Sequence, residues 1–222
     1  MKGASVPQRC VLAALQELKV NHSTAPRARL ANPLAIKLIA AYAALAGATA
    51  VFAAENACAA RSAATLTPVI ELYTSEGCSS CPPADKWAST LKQANREGRA
   101  VVEAFHVGYW DYIGWVDRFA APAYTTRQKE IAAHNSLRSI YTPQVVRNGQ
   151  DWQDYSRALA STEPALAQIS LSRLASNAQG EQFEANITPA ANAPARWAAY
   201  WTVTEHGHNS KVKAGENAGE FL

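Results

Sequence analysis

Two cysteines three positions apart, Cys78 and Cys81, stand where a short apolar run gives way to a helical pattern. No other feature limits the possible folds as much. The run is Pro68–Thr74, PVIELYT, rich in β-formers and short enough for a buried strand. Gly77 breaks it, the cysteines follow, and Pro82-Pro83 open ADKWASTLKQANREG. There Trp87, Leu91 and Ala94 recur at helical spacing, and Gly98 is a natural stop. A second β-rich run, Ala100–Trp110, completes the order strand, helix, strand, which predicts a βαβ unit with a right-handed crossover.

A Cys-x-x-Cys at such a junction suits redox chemistry, because free backbone N–H groups and the positive end of the helix stabilise a thiolate there. The first cysteine is then the nucleophile and the second resolves the mixed disulfide, so Cys78 attacks and Cys81 resolves. Pro82 and Pro83 have no amide protons. A helix starting at Cys78 loses donors in its first turn, whereas one starting at the prolines leaves the cysteines in a loop before the dipole. A structural disulfide and a metal site stay open as alternatives. Zinc needs four ligands and the chain has no second Cys-x-x-Cys; Cu(I) needs fewer, with His106 as a third ligand beside Cys78 and Cys81. The redox reading implies no metal and no organic cofactor. Its partners are protein thiols or disulfides and a redox partner protein that supplies or takes electrons.

A dithiol site of this kind also uses a cis-proline loop that presents backbone to the substrate. Thr142-Pro143 lies 62 residues after Cys81, enters the short strand Gln144–Arg147 and precedes Asn148-Gly149, the preferred type I′ hairpin turn. Between these landmarks lie an aromatic loop, Gly108–Phe119, and a helix opened by Pro122 that runs to about His134. Tyr109, Trp110, Tyr112 and Trp115 read either as a substrate-binding surface or as a core cluster. Asp111, Asp117 and Arg118 read as an ion-pair set; Glu71 and Glu103 read by default as surface-facing strand residues, the alternative being a buried carboxylate near the dithiol that accepts a proton from Cys81. A further helix is expected from about Asp154 to Ala167. After it, ISLSRLA, EQFEANITP and RWAAYWTVTEHG carry strand patterns separated by turn residues.

The first 54 residues hold six basic side chains against Glu17 alone, leaving the rest of the chain slightly acidic. With no basic block in the body, nucleic-acid binding is excluded as an expectation. The basic stretch precedes Leu38–Ala54, an uncharged, alanine-rich run followed by small residues, the order of a secretory signal, with cuts after Ala50 or Ala53. Export to the periplasm or beyond is therefore expected, with membrane association only if the leader stays uncleaved. In that oxidising compartment a close cysteine pair can exist as a disulfide, whereas in the cytosol it would be kept reduced.

Four motifs in order, ELYTSEGCSSCPPAD, AFHVGYWDYIGWVDRFAAPAYTTRQ, YTPQVVRNG and GENAG, resemble a bacterial secreted thioredoxin-like family catalogued as a domain of unknown function. The resemblance covers Pro68–Gly219. It implies an α/β fold: a thioredoxin-like domain with a helical insertion, followed by a small antiparallel β region. It matches Cys78, Cys81 and Pro143 to the thioredoxin dithiol and cis-proline; read from the residues alone, Tyr109, Trp110, Trp115 and Thr142 are the adjoining substrate-binding candidates. The family usually carries an acidic residue where this chain has Gly108, and a further strand beyond Leu222. The expected organisation is a leader over 1–53, a linker over 54–66, the thioredoxin-like domain over 67–168 and the β region over 169–222.

Overall fold

Val69–Thr74, the run that precedes the cysteines, is buried at all six positions. A strand lined on both sides by neighbours and covered on both faces reads as a continuous apolar run, and this one is central in its sheet. The computed structural model describes residues 58–155, 161–178, 180–196 and 198–222. Leader residues 1–53 lie outside this set.

The strands are β1 (Ala59–Arg61), β2 (Val69–Thr74), β3 (Val101–His106), β4 (Gln144–Arg147), β5 (Gln150–Asp151), β6 (Ala167–Asn177) and β7 (Gly180–Pro189). The helices are α1 (Pro82–Thr90), α2 (Lys92–Arg96) and α3 (Pro122–His134), with a 3₁₀ segment at Gly108–Ile113. One sheet is mixed and four-stranded, in the order β3-β2-β4-β5. There β2 and β3 run parallel, with Val69 opposite Val101, and β4 is antiparallel to both β2 and β5. The other is three-stranded and antiparallel, in the order β1-β6-β7.

Alternation along β2 sends its side chains to two cores. Tyr73 joins Phe105, Val107, Ile131 of α3 and Val146 on one face; Ile70 and Leu72 join Ala84 of α1 and Val145 on the other. Trp87, Trp152 and Tyr155 close the second core through edge and tilted ring contacts. Asn148 and Gly149 both have positive φ, as the tight turn between β4 and β5 requires.

Several expectations need correction. The single helix after the cysteines is two, α1 and α2, broken at Leu91. Part of the stretch taken as linker forms β1, which pairs with β6, and Thr65 bridges Pro164. Residues 156–160 of the expected Asp154–Ala167 helix lie outside the described set; Ser161–Leu166 is not helical, and β6 begins at Ala167. Residues 198–207 form no strand; the side chains of Tyr200 and Thr202 there hydrogen-bond Arg127 and Glu103.

Glu71 and Glu103 are also corrected: they are buried, directly opposite one another on β2 and β3. Two carboxylates so placed repel unless neutralised. Arg127 of α3 grips Glu71 through Nε and Nη2, both at 2.8 Å, and the Tyr73 hydroxyl donates to the same carboxylate. Burial together with the neighbouring Glu71 charge pushes the Glu103 carboxyl up, against the opposing hydrogen bond from the Thr202 hydroxyl. No helix among the described residues is long and apolar enough to cross a membrane.

Candidate active site around Cys78 and Cys81

The helix begins at the prolines. Cys81 is the N-cap of α1, with Pro82 and Pro83 in the first turn, so the cysteines occupy the loop that feeds it. That loop is held by its own backbone: Cys78 N–H donates to Ser75 O and Cys81 N–H to Cys78 O, both at 3.1 Å. The N–H groups of Ala84 and Asp85 both reach Cys81 O. Cys78 and Cys81 form a disulfide with Cα atoms 5.4 Å apart. The sulfurs are shielded, Cys78 being 1% and Cys81 0% exposed.

The second arm of the site comes from the start of β4, where the Thr142–Pro143 peptide bond is cis. Ser80 Oγ lies 3.4 Å from Cys78 Sγ and donates to Thr142 O at 3.5 Å, so one hydroxyl joins the cysteine loop to the proline loop. Trp110 fixes the same segment from the 3₁₀ turn, its Nε1 donating to Thr142 Oγ1 at 2.7 Å. A Cβ on Gly77 would lie 3.1 Å from Trp110 Cβ, a tight approach at which the tryptophan would have to give by a few tenths of an ångström. Of the aromatic candidates, Tyr109 and Trp110 pack against the core, and the Trp115 indole donates to Glu76 Oε2 at 2.7 Å. Tyr112 stands 80% exposed. Through Tyr109 and Trp110 the loop packs on the core and braces the proline loop beside the disulfide.

A buried polar cluster adjoins the loop through Glu76. Asp117 accepts from Glu76 N, from Phe119 N and from His106 Nδ1, the last at 2.7 Å. Burial pulls the His106 imidazole down, but the hydrogen bond and charge of Asp117 outweigh it and leave it raised. The Asp117 carboxyl, although buried, is held below its usual range by His106 and the two backbone donors. Burial pushes the Asp85 carboxyl up, against the pull of Thr74 and His106. Asp117 therefore pairs with His106 and not with Arg118, which donates to Asn209 O and lies over the Phe119 ring. Among the described residues no three His, Cys, Asp or Glu side chains are grouped to hold a metal, so Cys78, Cys81 and His106 do not form such a set. No cysteine there is free.

The C-terminal segment supplies what the sequence reading missed. Asn217 Nδ2 donates to Glu76 O at 2.8 Å and to Cys78 O at 2.9 Å, and Glu216 accepts the Ser79 N–H at 3.1 Å. Both residues belong to the GENAG motif, visible in the sequence but without any spacing that links it to cysteines some 140 positions earlier.

None of the curated proteins matches the chain. A crystal structure of a protein from Agrobacterium tumefaciens is 40% identical to it over 39% of this chain and 38% of that one, with a TM-score of 0.36. Residues 69–222, which hold the dithiol loop, the proline loop and GENAG, match the family model DUF1223, described as a protein of unknown function, and the chain belongs to that family.

Proposed function

We propose that this protein is an exported thiol–disulfide oxidoreductase of thioredoxin-like architecture, exchanging disulfides with other proteins. The observation that carries the reading is the placement of the Cys78–Cys81 disulfide directly before α1, with Ser80 bridging it to Thr142 of the proline loop. The strand order β3-β2-β4-β5, with β2 and β3 parallel and β4 and β5 antiparallel, supports a thioredoxin-like core around that site. The basic and then apolar leader supports export.

In the oxidising direction a substrate thiolate attacks Cys78 Sγ, the Cys78–Cys81 bond breaks, and Cys81 leaves as a thiolate that takes up a proton. A second substrate thiolate then attacks its own sulfur in the mixed disulfide and releases Cys78, so the substrate loses two electrons and the protein gains them. In the reducing direction the same steps run backwards, with Cys78 attacking a substrate disulfide. Thr142 and the Pro143 loop would pair with the substrate backbone, and a second dithiol protein would reset the pair.

A second reading, a structural bridge in a non-catalytic binding protein, is favoured by the burial of both sulfurs. Equilibration in glutathione or dithiothreitol buffers with thiol trapping separates the two. A reversible two-electron transition between about −270 and −120 mV is expected for the oxidoreductase. A pair that stays oxidised below about −300 mV is a structural bridge and sinks the redox reading.

A further inference from the structure

Residues 210–222 form a closed loop. Ser210 and Leu222 exchange both backbone hydrogen bonds, at 2.7 and 2.9 Å. Inside that rung Val212 N–H donates to Glu220 O at 3.0 Å and Gly219 N–H to Val212 O at 2.9 Å. Val212, 1% exposed, anchors the base. The tip, Gly215–Gly219, reaches the dithiol. Gly215 has a φ of +77°, and a Cβ there would lie 3.4 Å from Trp115 Cβ, so the tip passes close against the aromatic segment.

The contacts at the tip are specific. Asn217 is 5% exposed, and both amide protons of its side chain have work on the cysteine loop, on the carbonyls of Glu76 and Cys78. Glu216 takes the N–H of Ser79. The three bonds thus fall on residues before, at and after Cys78. Thiol–disulfide exchange needs the attacking sulfur to reach its target, and its rate depends on that access and on the charge around the thiol. Cys78 is 1% exposed with the tip seated on the backbone of its loop. Glu216, its carboxyl held below the usual range by Ser79, also places a negative charge beside the residue that follows Cys78.

We infer that the 210–222 loop is a hinged cover over the dithiol, with Asn217 and Glu216 as positioning residues: Cys78 exchanges with partner thiols only when the tip lifts, and the Glu216 carboxylate opposes a thiolate at Cys78 while the tip is down. The inference deepens the redox reading and rests on it.

The test uses the full chain and dithiothreitol as the probe. In the unaltered protein, the rate of Cys78–Cys81 reduction should level off as dithiothreitol rises, because lifting of the tip becomes limiting. A rate that stays proportional to dithiothreitol throughout overturns the cover. In Asn217→Ala the plateau should rise about tenfold, the factor carried by two ordinary hydrogen bonds. Glu216→Gln keeps an acceptor for Ser79 and removes only charge, so in the reduced protein it should move the pH profile of Cys78 alkylation by iodoacetamide to lower pH, which a purely structural role would not do. An unmoved profile overturns the role given to Glu216. If Asn217→Ala fails to fold, the dithiothreitol dependence of the unaltered protein decides alone. A folded Asn217→Ala that is reduced at the unaltered rate sinks the cover and leaves the redox reading standing. A pair that resists reduction in both proteins sinks the redox reading and the cover together.

Discussion

The two sheets are held together by different things. In the four-stranded sheet β2 is buried throughout, and its faces rest on α1 and α3 through two aromatic-lined cores. Its interior also holds charge, with the Glu71–Arg127 pair and Glu103 answered by side chains from elsewhere in the chain. In the three-stranded sheet β7 exposes nine of its ten residues, and Ile169 and Leu171 are buried on β6. What joins β6 to β7 is a backbone ladder from Ala167–Pro189 to Asn177–Gly180, interrupted once between Arg173 and Ala175. The first sheet is specified by side-chain chemistry and the second by main-chain pairing. Substitutions should therefore be felt unequally.

The largest effect is expected at Arg127. Replacing it with methionine leaves the Glu71 carboxylate buried and unpaired, so urea unfolding should show a loss of about 3–5 kcal/mol. The double variant Arg127→Met with Glu71→Met should recover most of that, and a double variant as weak as the single one would show that the pair itself is not what matters. Next comes Asp117→Asn, expected to cost about 2 kcal/mol near pH 6. The raised His106 contributes stability that is complete below its ordinary value near 6.5 and is lost as pH rises through its folded value. The lowered Asp117 contributes stability present above its ordinary value near 3.9 and lost as pH falls through its folded value. The gap between the two proteins should thus be widest between about pH 4 and 6.5 and narrow on either side. A gap independent of pH would assign the loss to packing. The smallest effect is expected in the exposed sheet, where Phe183→Ser should cost about 1 kcal/mol or less. A Phe183 variant as damaging as the Arg127 one would erase the contrast between the sheets.

Legibility in the sequence follows the same division. The elements of the four-stranded sheet declare themselves because each carries a local signal: the apolar run at Val69–Thr74, the prolines that open α1 and α3, the Asn148-Gly149 turn. The dithiol loop and the proline at its side are legible for the same reason. β1 is not, since Ala59-Ala60-Arg61 has no strand-forming side chains and exists only through its ladder with β6. The burial of Glu71 and Glu103 is hidden too, because their partners Arg127 and Thr202 lie 56 and 99 positions away. Asn217 is the sharpest case: a common side chain whose role depends wholly on a long-range contact.

The paired prolines after Cys81 have a spectroscopic consequence. They carry no amide protons, so the first turn of α1 is silent at Pro82 and Pro83 in a proton–nitrogen correlation spectrum. The next two amides, Ala84 and Asp85, both point at the Cys81 carbonyl, at 2.9 and 3.1 Å. On the other side of the loop, the Ser79 amide is bonded to the Glu216 carboxylate. Three cross-peaks thus bracket the dithiol. Ala84 and Asp85 report on the Cys81 carbonyl, while Ser79 reports on its bond to Glu216, so the two ends of the loop can be followed separately in one labelled sample.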